Sequence, residues 1–305
     1  MPDASVIIST YNRPSHLVRC LEGFRHQSAG DFEILVADDG SGPETAELVR
    51  AATRDQPRPV RHVWQEDRGF RKCKILNQAS RLSASDYLIY TDADCVPHRD
   101  FVAAHLRYRT RGRFLIGCSV KWSAARSAQI EQAGIASGRH ARVGPRDIWD
   151  NLRRRTHSLP YGIRLPGDWG FRLVQRLKKS REARGGNLSL WKSDLVRMNG
   201  WNEDFESWGL EDVELGRRLR LAGVEPALVV SKACTFHLHH PPGEKKNRSA
   251  RIAYDASKAS GLPWCPNGLV KSAMPTPAGP ADARVPGKFS SGNPQSGTAG
   301  AASEA

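Results

Sequence analysis

Residues 5–40 read SVIISTYNRPSHLVRCLEGFRHQSAGDFEILVADDG. Ser5 to Thr10 is a short apolar run, the pattern of a buried strand. Pro14 suits the first turn of a helix, and Leu17, Leu21 and Phe24 follow at helical spacing. Residues 32–40 make a second apolar run that stops at two acids and a glycine. Strand, helix, strand in this order is the unit of a parallel sheet with helices on its faces.

The alternation continues outward from this stretch. Residues 43–54 read as a helix with proline at its start, and 60–66 as a third strand. Leu76, Ala79 and Leu82 predict a helix over 73–82, and 86–94 is a fourth strand. The expected fold is α/β, a doubly wound, mostly parallel sheet. Ligands of such sheets bind beyond the carboxyl ends of the strands. Those ends carry Thr10-Tyr11-Asn12, Asp38-Asp39 and Asp92-Ala93-Asp94.

Beyond this half, 114–122 reads as one further strand. Residues 123–182 change character and are rich in Arg and Trp. Regular patterning returns at 187–201 and in a helix near 211–222, and 225–240 supplies one or two closing strands. From 266 the chain is rich in Pro, Gly, Ala and Ser, too polar to order itself. The sections are therefore 1–122, 123–183, 184–265 and a disordered tail, 266–305.

The 305 residues carry a net charge of +14, which implies an anionic partner. No nucleic-acid motif accompanies the basic residues. The six cysteines are scattered without a CxxC pair, as in a reducing compartment. No signal peptide is evident, and no apolar run approaches the ~20 residues of a membrane span. A cytoplasmic protein is expected, peripheral to the inner face of the membrane if its basic section meets anionic headgroups.

Four stretches can carry chemistry. Asp92 and Asp94 can hold a hard divalent cation through carboxylate oxygens, or merely meet solvent at a strand end. The same DADCV also loosely fits the nucleophile motif of haloacid dehalogenase-like phosphatases. That motif lies in the first strand of its domain, and here three strands precede it. In WGLEDVELGRRLRLAG (208–223), Glu211 and Asp212 begin a helix, where acids suit the macrodipole. With Trp208 beside it, such a carboxylate can also serve as a general base. FHLHHPP (236–242) puts His237 and His239 on one strand face and His240 on the other. EDRGFRKCKILN (66–77) gathers Arg68, Arg71, Lys72 and Lys74, either to grip diphosphate or as a solvated helix face.

In order, these stretches resemble family 2 glycosyltransferases of the GT-A fold. The blocks at 5–28, 32–41 and 87–97 match three successive blocks of that family. The block from Gly185 to Pro242 is similar to the galactosyltransferase-type block of bacterial chondroitin polymerases and β-1,4-galactosyltransferases. The resemblance implies a Rossmann-like nucleotide-binding half fused to an acceptor-binding half. It implies a nucleotide-sugar donor, most often a UDP-sugar, and a glycan or lipid-linked glycan acceptor. Thr10, Tyr11, Arg13, Asp39, Arg71, Lys72 and Asp92 are then nucleotide-binding residues. Asp94 is the metal ligand for Mn²⁺ or Mg²⁺, with His237 or His239. Gly186, Asn187, Trp208 and Glu211 contact donor or acceptor. Asp212 is the catalytic base of a single inverting displacement. Residues 123–182 match none of these blocks and are expected to depart from the family. Trp149, Tyr161, Trp169 and Phe171, interleaved with Arg and Lys, suit a phosphorylated lipid acceptor or anionic headgroups. A catalytically silent sugar-nucleotide or glycan binder is the remaining alternative.

Overall fold

β1 (Ala4–Thr10), α1 (Pro14–Arg25), β2 (Phe32–Asp38), α2 (Pro43–Arg54), β3 (Val60–Trp64), α3 (Lys72–Leu82) and β4 (Tyr87–Asp92) alternate as predicted. The computed structural model describes residues 1–54, 56–163, 171–173, 175–176, 181–241 and 248–271. These belong to one compact unit, Met1–Met274. Every residue of β1 and β2 is buried, which is why both strands read as mainly apolar runs. β1 lies parallel to β2 and β4, and β2 parallel to β3. The strand order thus reverses at β1, and a crevice opens beyond Thr10 and Asp92.

The second half completes the same sheet. After β5 (Cys95–Pro97) and α4 (Phe101–Tyr108) come β6 (Arg113–Ile116) and β7 (Cys118–Lys121). Then follow α5 (Ala124–Ala133), α6 (Pro145–Leu152), α7 (Leu159–Gly162), β8 (Leu188–Trp191), α8 (Lys192–Arg197), α9 (Glu211–Leu221), β9 (Glu225–Leu228), β10 (Cys234–His237) and α10 (Arg248–Ser260). The large sheet has the order β3-β2-β1-β4-β8-β6-β9, and a small sheet has the order β5-β10-β7. β8 runs antiparallel to both β4 and β6, wedged between them. One apolar cluster, with Leu76, Tyr90, Trp201 and Leu215, covers one face of the large sheet. Another, with Leu17, Phe24, Ile89 and Phe101, covers the opposite face.

Two sequence expectations need correction here. Residues 114–122 do not make one strand. They split at Gly117, so that β6 joins the large sheet and β7 the small one. The cause is Asn187. A Cβ on Gly117 would lie 2.0 Å from Asn187 Oδ1, so only glycine lets the chain pass. Asn187 is 2% exposed, and its Nδ2 donates to the Cys118 and Ala233 carbonyls at 2.9 and 3.0 Å. His105 meets its Oδ1 at 3.1 Å. Asn187 is therefore a pin between the two sheets, and its side chain faces no crevice. Gly117→Ala is expected to destabilise the fold by ~1–3 kcal/mol through overpacking. A thermal melt that matches the parent would show that Asn187 gives way.

The tail boundary also moves. Residues 266–271 fold back onto Asn199, where Leu269 N–H donates to the Asn199 carbonyl and Val270 N–H to its Oδ1, each at 2.7 Å. The rest of the expected tail, and Trp169, lie outside the described residues.

Candidate active site

The crevice beyond β1 and β4 gathers the first set of groups. Strand pairing sets Ser9 opposite Asp92. The Ser9 hydroxyl donates to Asp92 Oδ1 at 2.5 Å, and Lys72 Nζ lies 2.8 Å from the same oxygen. Lys72 also reaches Glu211 Oε1 at 3.9 Å. Burial opposes its charge, but Asp92, Glu211 and Asp212 together raise its pKa, so it stays an ammonium. Lys72 was expected to approach phosphate; the structure sets it between the two acidic corners.

The base of the crevice is formed by loops after β1, β2 and β3. Asp39 accepts from Gln65 Nε2 at 2.5 Å and from the Arg71 backbone N–H at 2.8 Å. Burial raises its pKa, while those two donors oppose the rise. The Arg71 guanidinium turns back to the Glu66 carbonyl. Tyr11 is exposed, and its hydroxyl donates to Asp67 Oδ2 at 2.9 Å, closing one wall. Thr10 Oγ1 is buried directly at the strand end and has no hydrogen-bond partner among the described residues. Arg13 immediately precedes α1 and lies within electrostatic reach of His16 and His240.

The second corner is built on Asp94. Its Oδ2 lies 3.4 Å from His237 Nε2 and 2.9 Å from His240 Nε2. The Asp94 carbonyl accepts from Leu238 N–H at 2.9 Å, which ties the end of β10 to the DxD turn. Burial pushes the Asp94 carboxyl up, but the two imidazoles outweigh it and hold the pKa well below the usual range. Burial lowers the pKa of His237, whereas the hydrogen bond to Asp94 raises that of His240. One carboxylate oxygen and two imidazole nitrogens within 4.8 Å of one another fit a divalent cation.

His239 does not join this group. The strand ends at His237, so the alternation expected through 239 stops. His239 is exposed, and its backbone N–H is held by Ser127 Oγ at 2.8 Å. His240 takes the place assigned to it. The signal for this was Pro241-Pro242, which marks the end of regular pairing.

The third corner is the start of α9. Gly209 and Leu210 have φ of +115° and +70° before the helix begins. For Leu210 this left-handed backbone is a strained conformation, of the kind found at functional sites. The turn delivers Glu211 and Asp212 to the helix N-terminus. Glu211 is buried, its Oε2 accepting from Gly209 N–H at 2.9 Å. Burial raises its pKa, against the pull of Lys72. Asp212 accepts from Gly185 N–H at 3.0 Å and Val213 N–H at 2.7 Å. A Cβ on Gly185 would stand 3.8 Å from both Lys72 Nζ and Asp212 Cβ, so the loop at 185–186 joins the corners. Gly186 presses on Asp92, whose Oδ2 would be 2.9 Å from an added Cβ. Trp208 stands beside them, 55% exposed. Ser9 and Gln65 were not singled out in the sequence, Gly185 appeared only as the start of a block, and His240 only on the strand face away from His237; Ser9, Gln65 and Gly185, small or neutral, carry no recognisable pattern.

Comparison with known proteins gives the same outline. The model of glycosyl transferase family 2 matches residues 5–165, and that described as the N-terminal domain of galactosyltransferase matches 170–241, so residues 123–182, expected to depart from the family, fall almost wholly within the two matches. Validoxylamine A glucosyltransferase of Streptomyces hygroscopicus subsp. jinggangensis is 29% identical over 82% of this chain and 58% of its own. Chondroitin synthase of Escherichia coli is 26% identical over 82% of this chain and 36% of its own. The chain thus spans from about a third to somewhat over half of these relatives. Among solved structures, a mannosyltransferase from Pyrobaculum calidifontis in complex with GDP-Man and Mn²⁺ aligns with a TM-score of 0.50 at 17% identity, over 85% of this chain and 70% of its own. Staphylococcus aureus TarS aligns with a TM-score of 0.51 at 15% identity, over 78% of this chain and 37% of its own. The fold is the GT-A fold expected from the sequence.

Proposed function

Because this chain belongs to glycosyl transferase family 2, we propose that it moves a sugar from a nucleotide-sugar donor, a UDP-sugar, to a hydroxyl of a glycan or lipid-linked glycan acceptor. The observation that carries this reading is the division of labour among carboxylates. Asp94 lies against two imidazoles, while Asp212 is held by backbone N–H groups at a separate corner.

In this reading Asp212 takes the proton of the acceptor hydroxyl as that oxygen attacks the anomeric carbon. The bond from that carbon to the diphosphate breaks in the same step, and the configuration inverts. Glu211 contacts donor or acceptor hydroxyls, and Trp208 offers the acceptor sugar an apolar platform. Asp92, oriented by Ser9 and Lys72, faces the ribose; Thr10, Tyr11, Arg13, Asp39 and Arg71 surround the nucleotide. Asp94, His237 and His240 would hold Mn²⁺ or Mg²⁺, which neutralises charge on the departing diphosphate when bound. The imidazole nitrogens favour Mn²⁺. The enzyme works in the cytoplasm, at the inner face of the membrane when the acceptor is lipid-linked. Among the described residues, no helix is long and apolar enough to cross a membrane.

A panel of nucleotide sugars, assayed for slow release of nucleoside diphosphate with and without chelator, tests this. Release from one donor, abolished by chelator and restored by Mn²⁺, is the expected result. Asp94→Asn should weaken Mn²⁺ activation at least about tenfold. Release that ignores both chelator and this substitution would remove the metal from the proposal, and silence with every donor and acceptor would favour a binding protein.

A further inference from the structure

Helix α6 is turned inside out. Its carboxylates, Asp147 and Asp150, are 4% and 7% exposed, whereas Ile148, Trp149 and Leu152 are 51%, 54% and 70% exposed. The acids point inward because they have partners there. Asp147 Oδ2 accepts from Gly144 N–H at 2.8 Å, and its Oδ1 lies 3.2 Å from Arg126 Nε. Asp150 Oδ2 accepts from the Ser123 hydroxyl at 3.0 Å. With those two positions fixed, helical geometry turns 148, 149 and 152 outward as one stripe.

Arginines flank the stripe. Arg142, Arg146, Arg153, Arg154 and Arg155 are all exposed. Arg153 lies over the Trp149 ring at 4.5 Å. Among the described residues, only Arg155 of these five has a carboxylate within ion-pair distance, Asp150 at 4.0 Å. On the acid side of the helix start, Arg126, Arg139, Arg142 and Arg146 line a cavity of ≈ 330 Å³ together with Asp147 and Asp150.

We propose that this face docks on an anionic lipid bilayer. Two aliphatic side chains and a tryptophan on one helical stripe, rimmed by arginines, match what a headgroup region offers: an apolar layer beneath negative charge. Arginine stems lie along the apolar boundary while their guanidiniums stay with the phosphates. A glycan would engage the Trp and the arginines but leaves Ile148 and Leu152 in water. A second copy of the chain would bring the same arginines face to face, at +14 on each side.

The face is tied to the Asp94 corner. His157, five residues past α6, exchanges backbone hydrogen bonds of 3.0 Å with Lys121, and Lys121 pairs with His237. A cavity of ≈ 390 Å³ is lined by Ser123, Arg146, Asp150, Arg155 and His239. Docking would set the crevice beside the bilayer, where a lipid-linked acceptor lies. That purpose rests on the function proposed above; the docking itself does not.

The test is sedimentation of the full chain with phosphatidylcholine vesicles, with and without phosphatidylglycerol. The parent should bind only the vesicles that contain phosphatidylglycerol. A Trp149→Ser/Leu152→Ser variant, altered only at exposed positions, should lose at least about tenfold in bound fraction. Arg153→Gln/Arg154→Gln should weaken binding in the same direction. Donor hydrolysis in solution should be unchanged in both, so that loss of docking and loss of catalysis are read apart. No binding to either vesicle, equal binding to both, or parent-like binding by the variants would overturn the proposal. Retention on an anionic polysaccharide without vesicle binding would overturn it too, by giving the face to a glycan.

Discussion

Asp212→Asn should lower the transfer rate by about 10²–10⁴-fold, the usual worth of a positioned general base. The amide keeps the shape of the carboxylate; Gly185 and Val213 donate to different carboxylate oxygens, so the single amide oxygen keeps one of the two bonds, and turned to Gly185 it keeps the one that holds the loop. The loop at 185–186 should therefore hold its place, and donor affinity should change little. Single-turnover kinetics with donor binding measured in parallel make the comparison. If transfer survives, the base lies elsewhere, and Glu211 is the next candidate. If donor binding falls as far as transfer, the substitution has disturbed the loop and not the proton.

Arg218→Ala should destabilise the whole fold, by ~3–5 kcal/mol. Arg218 and Glu214 are each 1% exposed at their side chains and 2.7 Å apart, one turn from each other on α9. The guanidinium also donates to the carbonyls of Met198 at 3.0 Å and Gly200 at 2.8 Å. Removing it leaves a buried carboxylate with the Ser257 hydroxyl as its remaining donor among the described residues. Urea unfolding gives the difference directly. Arg218→Met/Glu214→Gln should recover part of the loss, because no charge is then stranded. If the double variant is as unstable as the single one, the carbonyl bonds carry the energy and the ion pair does not.

Much of this molecule could be read before it was seen. The order from β1 to β4 was legible because the buried strands are mainly apolar runs and each helix repeats at its own period. The ends of those strands then placed Thr10, Asp39, Asp92 and Asp94 at one crevice. What escaped was whatever depends on contacts distant in sequence. Nothing local in FLIGCSVKW shows that Gly117 must yield to Asn187, or that Asn187 works as a pin. His239 and His240 differ only in where the strand stops. The inversion of α6 is hidden too, since Asp147 and Asp150 are buried by partners as far away as Ser123 and Arg126. A pattern of apolar and charged residues gives the period of a helix but not which face turns inward.

The wedge of β8 between β4 and β6 bears on how the chain is made. β4 ends at Asp92, yet its second neighbour begins only at Leu188. As the polypeptide emerges from the ribosome, β4 is an open edge until that later segment arrives, with unpaired backbone groups along an apolar strand. Closing it demands a contact across nearly a hundred residues, which is slow compared with local helix formation. The nascent N-terminal half is thus the state most open to aggregation. Chaperone demand should concentrate in that window of synthesis.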